Sequence, residues 1–162
     1  MRTAIAIEPL TAEAFAPFGD VLEAVGDPTF MINRGLCGRY HDLAHCDFIG
    51  TNAHAGISLF KAEARALPYE LDMMERHPLG SQAFVPMTAD PFLVIVAPDE
   101  DGAPGRPRAF LTTPGQGINF FRNVWHGVLT PLAEPGLFAV IDRIGDGNNL
   151  EEHWFNEPYR IE

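Results

Sequence analysis

Positive charge is scarce in this sequence. Lysine occurs once, at Lys61, and 11 basic residues face 22 acidic ones, for a formal charge of −11. Phosphate backbones and anionic lipid headgroups repel such a chain, so neither nucleic acid nor a membrane is an expected partner. Cysteine is also nearly lacking. Cys37 and Cys46 make neither a disulfide framework nor a four-cysteine zinc site, and both are expected to be ordinary reduced thiols. No apolar run is long. "FLVIVA" (Phe92 to Ala97) is far too short to span a bilayer. The opening "MRTAIAIEPL" has neither the apolar core nor the cleavage site of a signal peptide. The expected location is therefore the cytoplasm.

What is present describes a globular chain. Its 162 residues, 46% apolar and 20% charged, are expected to form one domain over 1–162 with a real core. Glycine and proline interrupt the sequence about every eight to twelve residues, which reads as an all-β sandwich or barrel. "AIAIEPL" is the first expected strand. "TAEAFAPFG" is the best helix candidate, capped by Thr11 and ended by Gly19. "DVLEAV", "GISLFKAEA", "YELDMMERH", "QAFVPM", "FLVIVA", "RAFLT", "GINFFRNVWH" and "LFAVIDRI" follow as strands. "PDEDGAPGRP" (Pro98 to Pro107) reads as an exposed loop. "NNLEEHWFNEP" either closes over the body or meets a second subunit.

Four stretches carry chemistry-bearing side chains. In "ERHP" the residue before proline is pushed to extended geometry. Strand alternation then puts Glu75 and His77 on one face and Arg76 on the other. The chain turns through "PLGS" and returns with Gln82 beside them. Alone, this pattern also suits an exposed turn with a surface ion pair. In "GINFFRNVWH", an unbroken strand would put Arg122 and His126 on one face with Ile118, Phe120 and Val124. A buried arginine then needs an anionic partner or a bulge. His126 is either a site residue or a core histidine satisfied by a backbone carbonyl. "GRYHDLAHCD" (Gly38 to Asp47) holds Arg39, Tyr40, His41, Asp42, His45 and Asp47. Its spacing suits a metal only on a helix, so a polar loop is expected. In "IDRIGDGNN", Asp142 and Arg143 point to opposite faces and precede what reads as a plain turn.

Together these blocks resemble a known family. "RYHDL", "ERHPLGSQAFVPM", "QGINFFRNVWHGVL" and "IDRIGDGNN" are similar, in order, to the bacterial ureidoglycolate lyases. The resemblance implies a cupin-type double-stranded β-helix, a jelly-roll barrel with one or two short helices, in a homodimer. It implies cleavage of (S)-ureidoglycolate to glyoxylate and urea in allantoin and purine breakdown. In cupin terms, Glu75, His77, Gln82 and His126 fall on the four metal-ligand positions. A divalent ion such as nickel is the implied cofactor, with no organic cofactor.

That substrate is a small anion with a hydroxyl and a ureido nitrogen on one carbon. Its cleavage needs a base, an acid and a group that holds the carboxylate. The expected catalytic residues are His77, His126 and Glu75. The expected substrate-binding residues are Arg122, Arg76, Gln82, Tyr40 and His41, with Arg122 preferred for the carboxylate. The alternatives are a hydrolase that releases ammonia and carbon dioxide, and a non-catalytic cupin that binds a small acid.

Overall fold

Short alternating segments and frequent turns make a nearly all-strand molecule. In this computed structural model, which describes residues 3–162, β1 (Ala4–Ile5) and β2 (Ile7–Pro9) lead into a single helical turn, α1 (Ala12–Phe15), and β3 (Gly19–Leu22). Thr11 caps α1 by accepting from the Ala14 N–H. The helix is shorter than the expected 11–19. Gly19 begins a strand instead, and a Cβ there would strike the Asn119 carbonyl. An arm follows, made of β4 (Phe30–Ile32), a 3-10 turn (Asn33–Gly35) and β5 (Cys37–Arg39).

The body then runs through β6 (His54–Ala62), β7 (Tyr69–Arg76), β8 (Gln82–Pro86) and β9 (Phe92–Ala97). The stretch expected as a plain loop folds back on itself as β10 (Asp99–Glu100) and β11 (Ala103–Pro104). Next come β12 (Arg108–Leu111), β13 (Gly117–Phe120), β14 (Trp125–His126) and β15 (Thr130–Pro131). Two long strands finish the chain, β16 (Gly136–Ile144) and β17 (Glu151–Ile161). The C-terminal segment closes on the body, because β17 pairs with β7 and, at its end, with β1.

Two sheets make a barrel of the cupin type. The larger has the order β1-β17-β7-β14-β9-β12-β2, with β15 also on β9; the smaller runs β3-β13-β8-β16-β6. Between them Phe84, Ile118 and Phe138 meet Phe92, Val94 and Phe110. Strand period explains why all six residues of β9 are buried. Phe92, Val94 and Val96 enter the main core, while Leu93, Ile95 and Ala97 join a second cluster with Leu71, Met74 and Ile161. The Phe92 and Phe138 rings meet edge to face, with centroids 4.8 Å apart.

The strand expected over 117–126 is broken. β13 stops at Phe120, and Asn123 takes a left-handed φ of 68°, a conformation that asparagine tolerates better than most residues. The turn lets Arg122 leave the sheet, where its Nε donates to Asp47 Oδ2 at 2.8 Å and its Nη1 to the Pro78 carbonyl. The Arg122 guanidinium is therefore not buried without a partner. His126 resumes an inward direction beyond the turn.

Phe92→Ala should remove about 3–5 kcal/mol of stability, because it opens a cavity between the sheets. Urea unfolding measures it; a loss under about 1 kcal/mol would mean that the two sheets do not share this core.

Candidate active site

Strand register assembles the site. His126 of β14 pairs with Glu75 of β7 on one side and with Val96 of β9 on the other. Glu75 pairs in turn with Glu152 of β17. Directly paired residues share a face, so Val96, His126, Glu75 and Glu152 form one row across the larger sheet. Val96 belongs to the main core, which identifies this row as the inner one. On the smaller sheet, Asp142, Gln82 and Phe120 form a second row. The two rows meet where the Phe120 ring stacks on His126, with centroids 4.3 Å apart and planes 6° from parallel.

His77 lies just beyond β7, and backbone groups hold it at two points. Its carbonyl accepts from the Asn123 N–H at 2.9 Å. Its ring Nδ1 lies 2.8 Å from the Asn149 carbonyl oxygen. The turn that follows is tight against β16. A Cβ at Gly80 would meet the Cβ of Arg143 at 2.6 Å, so glycine lets that side chain pass. Asn149 also accepts the Leu79 N–H through Oδ1. "GDGNN" is therefore no plain turn, since it positions His77.

Both imidazoles are oriented in the same way. A carbonyl can only accept, so His77 Nδ1 carries its proton toward Asn149, and His126 Nδ1 carries its proton toward the Gly127 carbonyl at 2.9 Å. With Nδ1 so committed, the neutral form of either ring has its lone pair at Nε2. Both Nε2 atoms are buried and have no hydrogen-bond partner among the described residues, and the same is true of Gln82 Oε1. Gln82 Nε2 is already donated to Asp142 Oδ2 at 3.1 Å. His77 Nε2 lies 3.9 Å from Glu75 Oε1, and the two imidazole centroids are 5.2 Å apart. Glu75, His77 and His126 offer ligand atoms within 4.8 Å of one another. Buried acceptors that face one another without a donor suit a cation. Imidazoles whose other nitrogen donates to a carbonyl are the usual form of a metal-bound histidine.

Burial also sets the protonation of the site. His126, 2% exposed, is pushed down to about 3 by desolvation and by the neighbouring His77, against the opposing bond to Gly127. It is neutral at physiological pH, with its one proton held on Nδ1 by the Gly127 carbonyl and none on the Nε2 that faces the cluster, which argues against its expected use as an acid. Burial raises the Glu75 carboxyl above its ordinary value; His77 pulls against this and Glu152 adds to it.

The other expected residues lie apart from this cluster. Arg76 is on the opposite strand face, as alternation requires. It bonds Asp99 at 2.7 Å and Glu151 at 2.6 Å, and lies 4.4 Å above the Trp125 ring. Tyr40 donates to the Gly26 carbonyl, and His41 packs on Phe30. Among the described residues, neither forms a hydrogen bond, ion pair or ring contact with Glu75, His77 or His126. Farther along the "GRYHDLAHCD" loop, His45 pairs with Asp20 at 2.8 Å. Asp142 and Arg143 make no ion pair with each other: Asp142 holds Gln82, and Arg143 donates to the Ile49 and Asp146 carbonyls. The roles of Asp142 and Asn149 had no signal in the sequence, since both depend on partners distant along the chain. A cleft elsewhere, of about 510 Å³, is lined in part by Glu8, Arg106 and Arg108. It is a poorer candidate, because Arg108 is tied to Glu8 and Arg106 to the Ala4 carbonyl.

Comparison with known proteins gives the family. A family model described as Ureidoglycolate lyase matches residues 2–162. A protein of Rhodobacter capsulatus named ureidoglycolate lyase is 62% identical over 156 residues, covering 96% of each chain. One of the same name from Chelativorans is 58% identical, covering 99% of this chain and 97% of its own. A protein named ureidoglycolate lyase 2, from Rhizobium meliloti, is 57% identical over 96% of each chain.

The His126 ring should show a single Nδ1–H tautomer and no titration between about pH 5 and 8. Nitrogen chemical shifts of the ring measure this directly. A midpoint inside that window would contradict the assigned burial and bond.

Proposed function

Because the chain belongs to the ureidoglycolate lyase family, a family of carbon–nitrogen lyases, we propose that it cleaves (S)-ureidoglycolate to glyoxylate and urea, a late step of allantoin and purine breakdown. The whole chain is read as one cupin domain with its reaction centre at Glu75, His77 and His126. The observation that carries this reading is the convergence of one carboxylate and two oriented imidazoles at one buried point. The relatives' shared name favours urea as the product over the ammonia and carbon dioxide of a hydrolase. A poised carboxylate favours catalysis over passive binding of a small acid.

The chemistry follows from the groups present. One oxygen of Glu75 takes the proton of the substrate hydroxyl. The O–H electron pair becomes the second bond of the glyoxylate carbonyl. The carbon–nitrogen bond breaks and its pair leaves on the urea nitrogen. Glu75 returns the proton to that nitrogen, so no water is consumed and the atoms balance. Gln82 has only its oxygen free, because Asp142 occupies the amide nitrogen. That oxygen accepts from the ureido N–H. Arg122, expected to hold the carboxylate, already has its charge balanced by Asp47. Arg76 is assigned instead to holding the end of β7.

The orphaned acceptors suit a divalent ion. His77 and His126 through Nε2, and Glu75 through its second oxygen, would hold it. Imidazole and carboxylate donors suit nickel(II), which the family resemblance favours. Such an ion supplies Lewis-acid polarisation of the substrate oxygen.

We also propose a homodimer. Ile57, Leu59, Val85 and Met87 leave an apolar surface on the outer side of β6, β16 and β8, of the kind that subunits cover. Among the described residues, no helix is long and apolar enough to cross a membrane. Both cysteines are free and exposed, which suits a reducing cytoplasm.

Purified protein given ureidoglycolate, without added urease, should release urea and glyoxylate in equal amounts; ammonia in place of urea would reject the lyase reading. Glu75→Gln should lower kcat/KM by about 10²–10⁴-fold, the usual worth of a positioned acid–base group. After chelation, calorimetry should detect a single nickel ion bound per chain, with binding lost in His77→Ala. Full activity without metal, and no binding of added nickel, would remove the ion from the site.

A further inference from the structure

The arm formed by β4, the Asn33–Gly35 turn and β5 satisfies itself and little else. Among the described residues, its strands pair only with each other. Tyr40 donates to the Gly26 carbonyl, and the His41 N–H donates to Thr29 Oγ1. A lone two-stranded hairpin is marginal in water. This one leaves Phe30, Met31 and Leu36 exposed, with Leu36 at 87%. At its tip Asn33, Arg34 and Gly35 are consecutively left-handed, with φ of 53°, 60° and 83°. Conformations of that kind persist where other contacts demand them.

Charge sets the arm apart. Between Gly26 and His45, Arg34 and Arg39 balance Asp27 and Asp42, so the rest of the chain carries the whole −11. Two such barrels repel each other, and a neutral apolar arm is the segment that approaches a second copy at least cost. A matching surface is present on the same molecule. On the outer side of the smaller sheet, Ile57, Ile141 and Ala83 form a row, and it lies one residue along from the Asp142–Gln82 row of the site. Ile57 is 78% exposed. Exposure falls along this row to the half-buried Ile141 and the buried Ala83, so the open part of the face lies on β6, where Ile57 follows Gly56, the register partner of Asp142.

The site itself is short of one group. A substrate carboxylate needs a cation whose charge is not already spent. The arginines on the elements that build the cluster are committed: Arg76 to Asp99 and Glu151, Arg122 to Asp47, and Arg143 to the Ile49 and Asp146 carbonyls. Among the described residues, Arg34 and Arg39 have no acidic partner, and Arg39 only lies over the Phe30 ring at 5.7 Å.

We propose that the arm of each subunit lies across the open sheet face of a second copy and presents Arg34 and Arg39 to the carboxylate of the substrate bound there. Each active site is completed in trans. This inference rests on the lyase and dimer readings above, and its test separates from theirs. The Arg34→Ala/Arg39→Ala double variant should fold normally, since both side chains are exposed, and should lose roughly 10–100-fold in kcat/KM, mostly through KM. Glu75→Gln supplies a subunit with an intact arm and a dead site. Unfolding the two variants together and refolding them at equal amounts should restore about a quarter of wild-type activity, since half the dimers are mixed and each has one complete site of two.

Three results overturn the proposal. One is a double variant within about twofold of wild type, less than a single charged contact is worth. Another is no recovery although differently tagged subunits are recovered as mixed dimers. The third is full wild-type activity in a species that light scattering shows to be monomeric. Failure of wild type to release urea, or an active Glu75→Gln, would instead reject the reaction or its base, and the double variant would still report on the arm.

Discussion

Two imidazole N–H groups donated to backbone carbonyls govern the rest of the site. Gly127 accepts from His126, and Asn149 accepts from His77. Once those protons are committed, both Nε2 atoms become acceptors, and both are buried where water does not reach them. The cost of leaving them unmatched is high in a low-dielectric interior. The barrel end is therefore built for something positive, whether a metal ion or a proton passing through Glu75. The stacked Phe120 ring, the Asn123 turn and the glycine that lets Arg143 pass all keep the two rings in that relation.

Electrostatics acts on a second scale. The chain is strongly acidic, yet its substrate is an anion. Its few arginines are mostly spent on carboxylates and carbonyls, as Arg76, Arg108 and Arg143 show. Arg76 is instructive because it stands next to His77 in sequence and points away from it. There it spans β7, β10 and β17 over the Trp125 ring and fixes the strand end that aims Glu75 and His77. Within the chain, recognition of an anion falls to whatever cation remains unspent, and this gives the neutral arm its interest.

Much of the site was legible before any coordinates. Alternation and the proline correctly separated Glu75 and His77 from Arg76. The expectation that Arg122 needs an anion or a break in the strand was met in both respects. The reading of 117–126 as one strand failed, because a left-handed Asn123 resets the alternation and no composition signal marks it. "GDGNN" looked like a simple turn because a backbone carbonyl, the feature that matters there, has no side-chain signature. The two descriptions of His126, core residue satisfied by a carbonyl and site residue, both hold: one ring nitrogen does each.

By itself the sequence determined what is local. Period-two alternation, interrupted by glycine and proline, specifies strands and the side each residue faces, and the shortage of positive charge weighs against polyanionic partners. The first depends on neighbours a few residues away and the second on composition alone. Only the tertiary structure decided that His126 pairs with Glu75, that Asp142 orients Gln82, and that the Asn149 carbonyl sets the tautomer of His77. These depend on strand register and on the closing of one sheet over the other. The whole buried core selects both, and no single segment encodes either.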